Sequence, residues 1–134
     1  MRRLIAAAGA LLVLTTQSAH AQKRPELNGP TQSEINDQAG QRFDIADKQL
    51  NAAYAKLMAT TSPEGRERLR AAQRAWVAFR DLDCEARAGS RGGSFHPAAV
   101  LLCREAVTDE RTRTLKDELA CEEGDLGCGG ISKP

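Results

Sequence analysis

The chain has 134 residues, 19 basic and 18 acidic side chains and a net charge of +1, with one Trp, one Tyr and three Phe. A near-neutral chain lacks the basic surface that supplies most of the affinity for nucleic acid, and it has no polybasic segment for an anionic membrane, so we expect neither partner. Because aromatic residues are few, Ala and Leu must fill the core, which favours close-packed helices over a β-sandwich.

Residues 1–21 have the three parts of a secretory signal peptide. Arg2 and Arg3 form the charged start, an apolar run covers residues 4–14, and Ala19-His20-Ala21 supplies the small residues of a cleavage site. The apolar run is shorter than the ~20 residues that a helix needs to cross a bilayer. We therefore predict a cleaved signal, no membrane span in the mature chain and a periplasmic or secreted location. An uncleaved anchor is the alternative.

Residues 22–30 carry two prolines and are predicted to be a flexible leader. The first helix is expected to start at Thr31 or Ser33, because Thr31-Gln32-Ser33-Glu34 matches a capping box. An apolar stripe with steps of three and four residues then predicts a helix of about 28 residues. Its members are Ile35, Ala39, Phe43 or Ala46, Leu50, Ala53 or Tyr54, and Leu57.

The second helix is predicted to begin with Ser62 as its cap and Pro63 at its first position, and to end near Ala86 or Ala88. Its expected inner face consists of Leu69, Ala72, Trp76 and Phe79. Trp76, the single tryptophan, is therefore predicted to pack in the core. Because the turn between the first two helices is short, we expect them to be antiparallel neighbours.

Residues 88–96 are glycine-rich and predict a loop, after which Pro97 opens the third helix. The expected inner side of this helix consists of Val100, Cys103, Val107, Leu115 and Leu119. The predicted fold is thus all-α, a small three-helix antiparallel bundle over residues 31–120. Residues 121–134 form a tail rich in Cys and Gly.

Four cysteines, an even number in an exported chain, predict two disulfide bonds, and three pairings are possible. They are Cys84, Cys103, Cys121 and Cys128. We favour Cys84 with Cys103, which closes a loop of about 20 residues and contributes roughly 3 kcal/mol, and Cys121 with Cys128. In the alternative, a tail cysteine bonds to the bundle. A zinc site with His96 as a further ligand is a competing interpretation of the four cysteines. No C-x2-C spacing supports it, so we expect no metal.

Three segments resemble the LprI-type family of exported bacterial proteins, which is named after a mycobacterial lysozyme inhibitor. The first is Asp47-x-x-Leu50-Asn51-x-x-Tyr54-x-x-Leu57, and the second runs from Leu69 through Gln73-Arg74-Ala75-Trp76 and Phe79-Arg80-Asp81 to Cys84. The third combines Gly92-Gly93-Ser94 with Cys103-x4-Thr108-x2-Arg111-x3-Leu115. The resemblance covers residues 31–119. The family usually has a further cysteine early in the first helix, where this chain has Gln38.

The polar residues of these segments are predicted to form a seam between helices, in which Arg guanidiniums pair with Asp carboxylates and with Asn or Gln amides. They are Asp47, Asn51, Gln73, Arg74, Arg80, Asp81 and Arg111. A ligand-binding or catalytic cluster is the alternative interpretation of the same residues.

The resemblance implies an exported protein that is not an enzyme, needs no cofactor and binds a protein partner, with lysozyme as the candidate. The expected contact surface is the loop, with Arg87, Arg91, Ser94 and His96. A structural or adaptor module of the cell envelope with another protein partner is the alternative function. Ser94 and His96 do not indicate a hydrolase, because no G-x-S-x-G motif surrounds the serine.

Overall fold

The computed structural model describes residues 29–121, which form three helices and no strand. They are α1 (Gln32–Thr60), α2 (Pro63–Arg87) and α3 (His96–Ala120). The predicted all-α class is therefore confirmed. The signal peptide, most of the leader and the tail from residue 122 lie outside the described residues. None of the three described helices has the length and apolar character needed to cross a bilayer.

The capping box predicted at the start of α1 is present. Thr31 Oγ1 accepts a hydrogen bond from the Glu34 amide at 3.3 Å, and Glu34 Oε2 accepts one from the Thr31 amide at 2.6 Å. These bonds satisfy two amides that have no partner inside the helix. The hydrogen bonds from Thr31 stabilise the ionised carboxylate and so lower the pKa of Glu34.

The predicted start of α2 is also confirmed, since Ser62 Oγ accepts a hydrogen bond from the Gly65 amide at 3.1 Å and Pro63 is the first helical residue. Thr61 fixes the turn before it, because its buried hydroxyl donates to the Leu57 carbonyl at 2.6 Å. At the other end Gly89 has φ of +76°, a left-handed conformation that glycine adopts readily just after a helix.

Successive helices run antiparallel, as predicted, so that α1 and α3 run in the same direction. Arg42 of α1 pairs with Glu105 of α3, and Lys56 and Lys116 flank one groove nearer the C-terminal ends of these helices. The closest packing is between α1 and α3 rather than between α1 and α2. Alanines explain this close approach, since Ala39, Ala46 and Ala53 recur every seventh residue on the buried face of α1.

The core lies where all three helices meet. It consists of Leu50, Ala53, Leu57, Leu69 and Leu115, with Tyr54, Met58, Trp76 and Leu119 packed against it. The prediction that Trp76 packs in the core is therefore confirmed. On α3 the predicted Val107 is only partly buried, whereas Thr108 and Thr112 are buried. Both hydroxyls can be buried because each has a hydrogen-bond partner, Arg80 for Thr108 and the Thr108 carbonyl for Thr112.

The predicted inner face of α2 was partly wrong. Phe79 is 57% exposed and Ala72 is also exposed, whereas Arg80 and Cys84 join Leu69 on the buried side. Residues 69, 76, 80 and 84 are spaced by seven, four and four positions, which lie on one face of a helix. The charge of Arg80 concealed this face from an analysis based on apolar residues.

Candidate functional site

A buried arginine joins the three helices. The Arg80 side chain is only 7% exposed, and its Nη1 lies 3.3 Å from Asp47 Oδ1 of α1 and 3.3 Å from Thr108 Oγ1 of α3. Its Nε donates to Asp81 Oδ1 on its own helix at 3.0 Å. A guanidinium offers five donors in a fixed fork, which suits simultaneous contact with several acceptors.

Two aromatic rings flank the same guanidinium. Its carbon lies 5.1 Å from the ring centroid of Phe43 on α1 and 5.3 Å from that of Trp76 on α2. Both distances are within the range of a cation–π interaction, which gains strength when water is excluded. Arg80 therefore connects α1 and α2 through its charge and through its flat faces.

Hydrogen bonds extend the seam on both sides of Arg80. Asn51 Nδ2 donates to Asp47 Oδ2 at 2.9 Å, and Arg111 Nε donates to Gln73 Oε1 at 3.2 Å. The Arg111 guanidinium also lies 5.9 Å from the Trp76 ring centroid. Burial disfavours its charged form and lowers the pKa of Arg111, an effect that the nearby Glu118 carboxylate opposes.

Six of the seven polar residues predicted for the seam are thus brought together: Asp47, Asn51, Gln73, Arg80, Asp81 and Arg111. Arg74 is exposed and takes no part. Phe43, Thr108 and Arg104 also belong to the seam but were not predicted as its members. Arg104 Nε lies 3.3 Å from Asp81 Oδ1, as an ion pair without hydrogen-bond geometry. Thr108 belongs to the third family segment, which was the one available signal.

The second candidate site is the loop between α2 and α3, which a disulfide bond closes. Cys84 and Cys103 are bonded, with their Cα atoms 5.5 Å apart, so this predicted pairing is confirmed. Within the loop the Gly93 amide donates to the Ser90 carbonyl at 3.3 Å, and the His96 amide donates to the Gly93 carbonyl at 3.0 Å. The loop therefore consists of consecutive tight turns over a covalently fixed base.

The four predicted loop residues differ in how much surface they present. The Arg91 side chain is 83% exposed, and its Nε lies 3.7 Å from Glu85 Oε2. Ser94 is exposed, and Arg87 forms a 2.8 Å ion pair with Asp83. The fourth residue, His96, is the first residue of α3.

His96 lies at the base of the loop, with its side chain only 11% exposed. Its Nε2 is 3.4 Å from Glu85 Oε2, and its Nδ1 is buried without a hydrogen-bond partner. Phe95, which was not predicted as a contact residue, is 51% exposed and follows Ser94 in the chain. Phe95 adds an apolar ring to the polar side chains of the loop.

Metal ligands do not cluster in residues 29–121, where no three His, Cys, Asp or Glu side chains are arranged to hold an ion. Cys121 is disulfide-bonded. Its predicted partner, Cys128, lies outside the described residues. Gln38, which the resemblance aligns with a further cysteine, is exposed on α1.

These features define a small, disulfide-tied three-helix protein that is organised around a buried arginine and presents a short loop. A family model described as lysozyme inhibitor LprI matches residues 23–115, and the chain belongs to this family. An uncharacterized protein of Rhizobium meliloti (strain 1021) is 35% identical over 137 residues, covering 90% of this chain and 99% of that protein. No solved structure matches the chain.

Proposed function

We propose that the protein is exported and inhibits lysozyme by direct binding through the loop of residues 88–95, without catalysing a reaction itself. Membership of the lysozyme inhibitor family supports the target. The observation that carries the choice of surface is Arg91, whose side chain is 83% exposed on a loop with a disulfide at its base.

The chemistry of the target explains why an exposed guanidinium suits this task. Lysozyme cleaves its substrate with two carboxylic residues on either side of the scissile bond. An Arg fork pairs with a carboxylate through two parallel hydrogen bonds, which are stronger than those between neutral groups. Arg91 is available because its contact with Glu85 is long, at 3.7 Å, and ion pairs at the surface are weak.

The fixed base of the loop reduces the entropy that binding must remove. Cys84 is completely buried and bonded to Cys103, so both ends of the loop are held before a partner arrives. Preorganisation of this kind improves affinity without any new contact. Phe95 adds an exposed apolar ring to the same loop as Arg91, and aromatic and Arg side chains are enriched at protein interfaces.

The proposal predicts that Arg91→Ala weakens inhibition of lysozyme at least about tenfold, since central arginines are frequent hot spots of interfaces. The inhibition constant is measured by titrating the oxidised chain of residues 22–134 against lysozyme turnover. Arg113→Ala is the matched control, because Arg113 is also exposed and ion-paired. It lies about 25 Å along α3 from the end of the helix that the loop joins.

Two results would contradict the proposal. One is full lysozyme turnover in the presence of a micromolar excess of the oxidised protein. The other is an equal loss of inhibition in Arg91→Ala and Arg113→Ala, which would place the contact surface elsewhere.

The outer face of α2 favours a second candidate function, an adaptor of the cell envelope. Phe79 and Leu82 lie one turn apart on this face and are 57% and 73% exposed. Large apolar side chains that are grouped at the surface often mark a site of protein association. Recovery of a different envelope protein from periplasm, together with unchanged lysozyme turnover, supports this function over inhibition.

A further inference from the structure

A groove of about 340 Å³ lies between α1 and α2, on the side of the seam that faces solvent. Its α1 wall consists of the Asp47-x-x-Leu50-Asn51-x-x-Tyr54 motif. On α2 its polar residues are Arg70, Gln73 and Arg74. Residues of two family segments therefore meet at one surface groove. The ion pairs of Arg80 explain the presence of Asp47 but not that of the other polar residues that line the groove.

Two uncompensated positive charges lie on one wall of this groove. Arg70 and Arg74 are exposed and one helical turn apart, and neither has an ion-pair or hydrogen-bond partner in residues 29–121. Asp47, the carboxylate of the groove, is already engaged by Arg80 and by Asn51. The groove therefore offers two guanidiniums to an anion, and neighbouring forks of this type bind a carboxylate with several charge-assisted hydrogen bonds.

Free hydrogen-bonding groups lie beside these charges. Gln73 uses its Oε1 to accept from Arg111, which leaves its Nε2 as a donor, and Asn51 uses its Nδ2 to donate to Asp47, which leaves its Oδ1 as an acceptor. Tyr54, Leu50 and Val77 complete the lining. Paired donors and acceptors suit the hydroxyl groups of a ligand, and the apolar side chains suit its carbon atoms.

We propose that this groove binds a small sugar acid, a hydroxylated ring that carries one carboxylate. The carboxylate pairs with Arg70 and Arg74, while hydroxyl groups bond to Gln73 and Asn51. The volume is near the lower end of the ~300–1,000 Å³ typical of small-molecule sites, which fits one sugar unit. The site is separate from the proposed lysozyme contact, because Arg74 lies about 20 Å along α2 from the loop.

An NMR titration of the ¹⁵N-labelled oxidised chain tests the proposal. D-galacturonate is the probe, and D-galactose, the corresponding sugar without a carboxylate, is the control ligand. We expect galacturonate to shift the side-chain amide signals of Gln73 and Asn51, with a Kd in the millimolar range, and galactose to bind at least about tenfold more weakly. Arg70→Ala/Arg74→Ala should weaken galacturonate binding at least tenfold, whereas Arg113→Ala should not change it. Far-UV circular dichroism checks that both variants remain helical, which their exposed positions predict.

Three outcomes would overturn the proposal. The amide signals of Gln73 and Asn51 stay unchanged at millimolar galacturonate, or the double arginine variant binds as well as the wild type. In the third, acetate or inorganic phosphate produces the same shifts with the same affinity, which would show attraction of a simple anion without recognition of a sugar. None of these results depends on whether the protein inhibits lysozyme.

Discussion

Replacing Arg80 by alanine is expected to lower the free energy of unfolding by about 3 kcal/mol. The side chain fills the space between the rings of Phe43 and Trp76, so its removal leaves a gap as well as unpaired acceptors. The two carboxylates it binds, on Asp47 and Asp81, are 39% and 40% exposed, so water partly replaces the lost contacts. The cost therefore stays near the lower end of the ~3–5 kcal/mol seen when a fully buried ion pair is broken.

Urea unfolding followed by circular dichroism measures this loss, and Arg42→Ala is the control. Arg42 also pairs with a carboxylate of another helix, but its side chain is 61% exposed, and such surface pairs contribute less than about 1 kcal/mol. Arg80→Lys should lose most of the same stability, since an ammonium is a point charge without a flat face for the two rings. Equal unfolding curves for Arg80→Ala and Arg42→Ala would contradict the central role of Arg80.

Removing the Cys84–Cys103 bond in a Cys84→Ala/Cys103→Ala variant is expected to lower the free energy of unfolding by about 3 kcal/mol. The bond joins residues 19 positions apart, and its loss gives the unfolded chain the entropy of an open loop. A double substitution is preferable to a reducing agent, because Cys121 is disulfide-bonded too and a reductant would break both bonds.

The same variant separates the contribution of the disulfide bond to stability from its contribution to lysozyme binding. Inhibition of lysozyme should weaken more than the loss of stability explains, because at a temperature where the variant is fully folded its loop is still less restricted. The inhibition constant and the urea midpoint are measured on the same preparation. A variant that loses stability but inhibits as strongly as the wild type would show that the loop needs no covalent base.

Features encoded within a few residues could be predicted from the sequence. The capping box at Thr31, the Ser62-Pro63 start of α2 and the glycine that follows α2 each depend on local backbone geometry, which neighbouring side chains determine. The Cys84–Cys103 bond was predictable because the two cysteines flank one short loop between helices.

Features that depend on contacts between residues far apart in the sequence were harder to predict. Helix α2 has apolar residues on two faces, so the apolar pattern after Trp76 pointed to Phe79, three residues further on, and not to the charged Arg80, four residues further on. Burial of Arg80 becomes favourable only because Asp47 and Phe43, more than thirty residues away in the chain, supply its partners. The seam residues were recognised as a set through the family resemblance, but their pairing needed the structure.

The groove between α1 and α2 could not be predicted at all. Asn51, Gln73 and Arg74 were assigned together to a seam. A sequence does not show whether all hydrogen-bonding groups of an Asn or Gln side chain have partners or whether one of them remains free. Only the positions of Arg111 and Asp47 show which atoms of these side chains remain available.

Hydrogen exchange of the backbone amides, with and without lysozyme, tests the proposed binding surface most directly. In the free protein the Gly93 and His96 amides are the ones held by backbone hydrogen bonds in residues 89–96, so the loop should exchange fast. Binding through Arg91 predicts that lysozyme slows exchange across residues 90–95 and leaves the outer face of α2 unchanged. Unchanged exchange in the loop, with protection around Phe79 and Leu82 instead, would contradict this account.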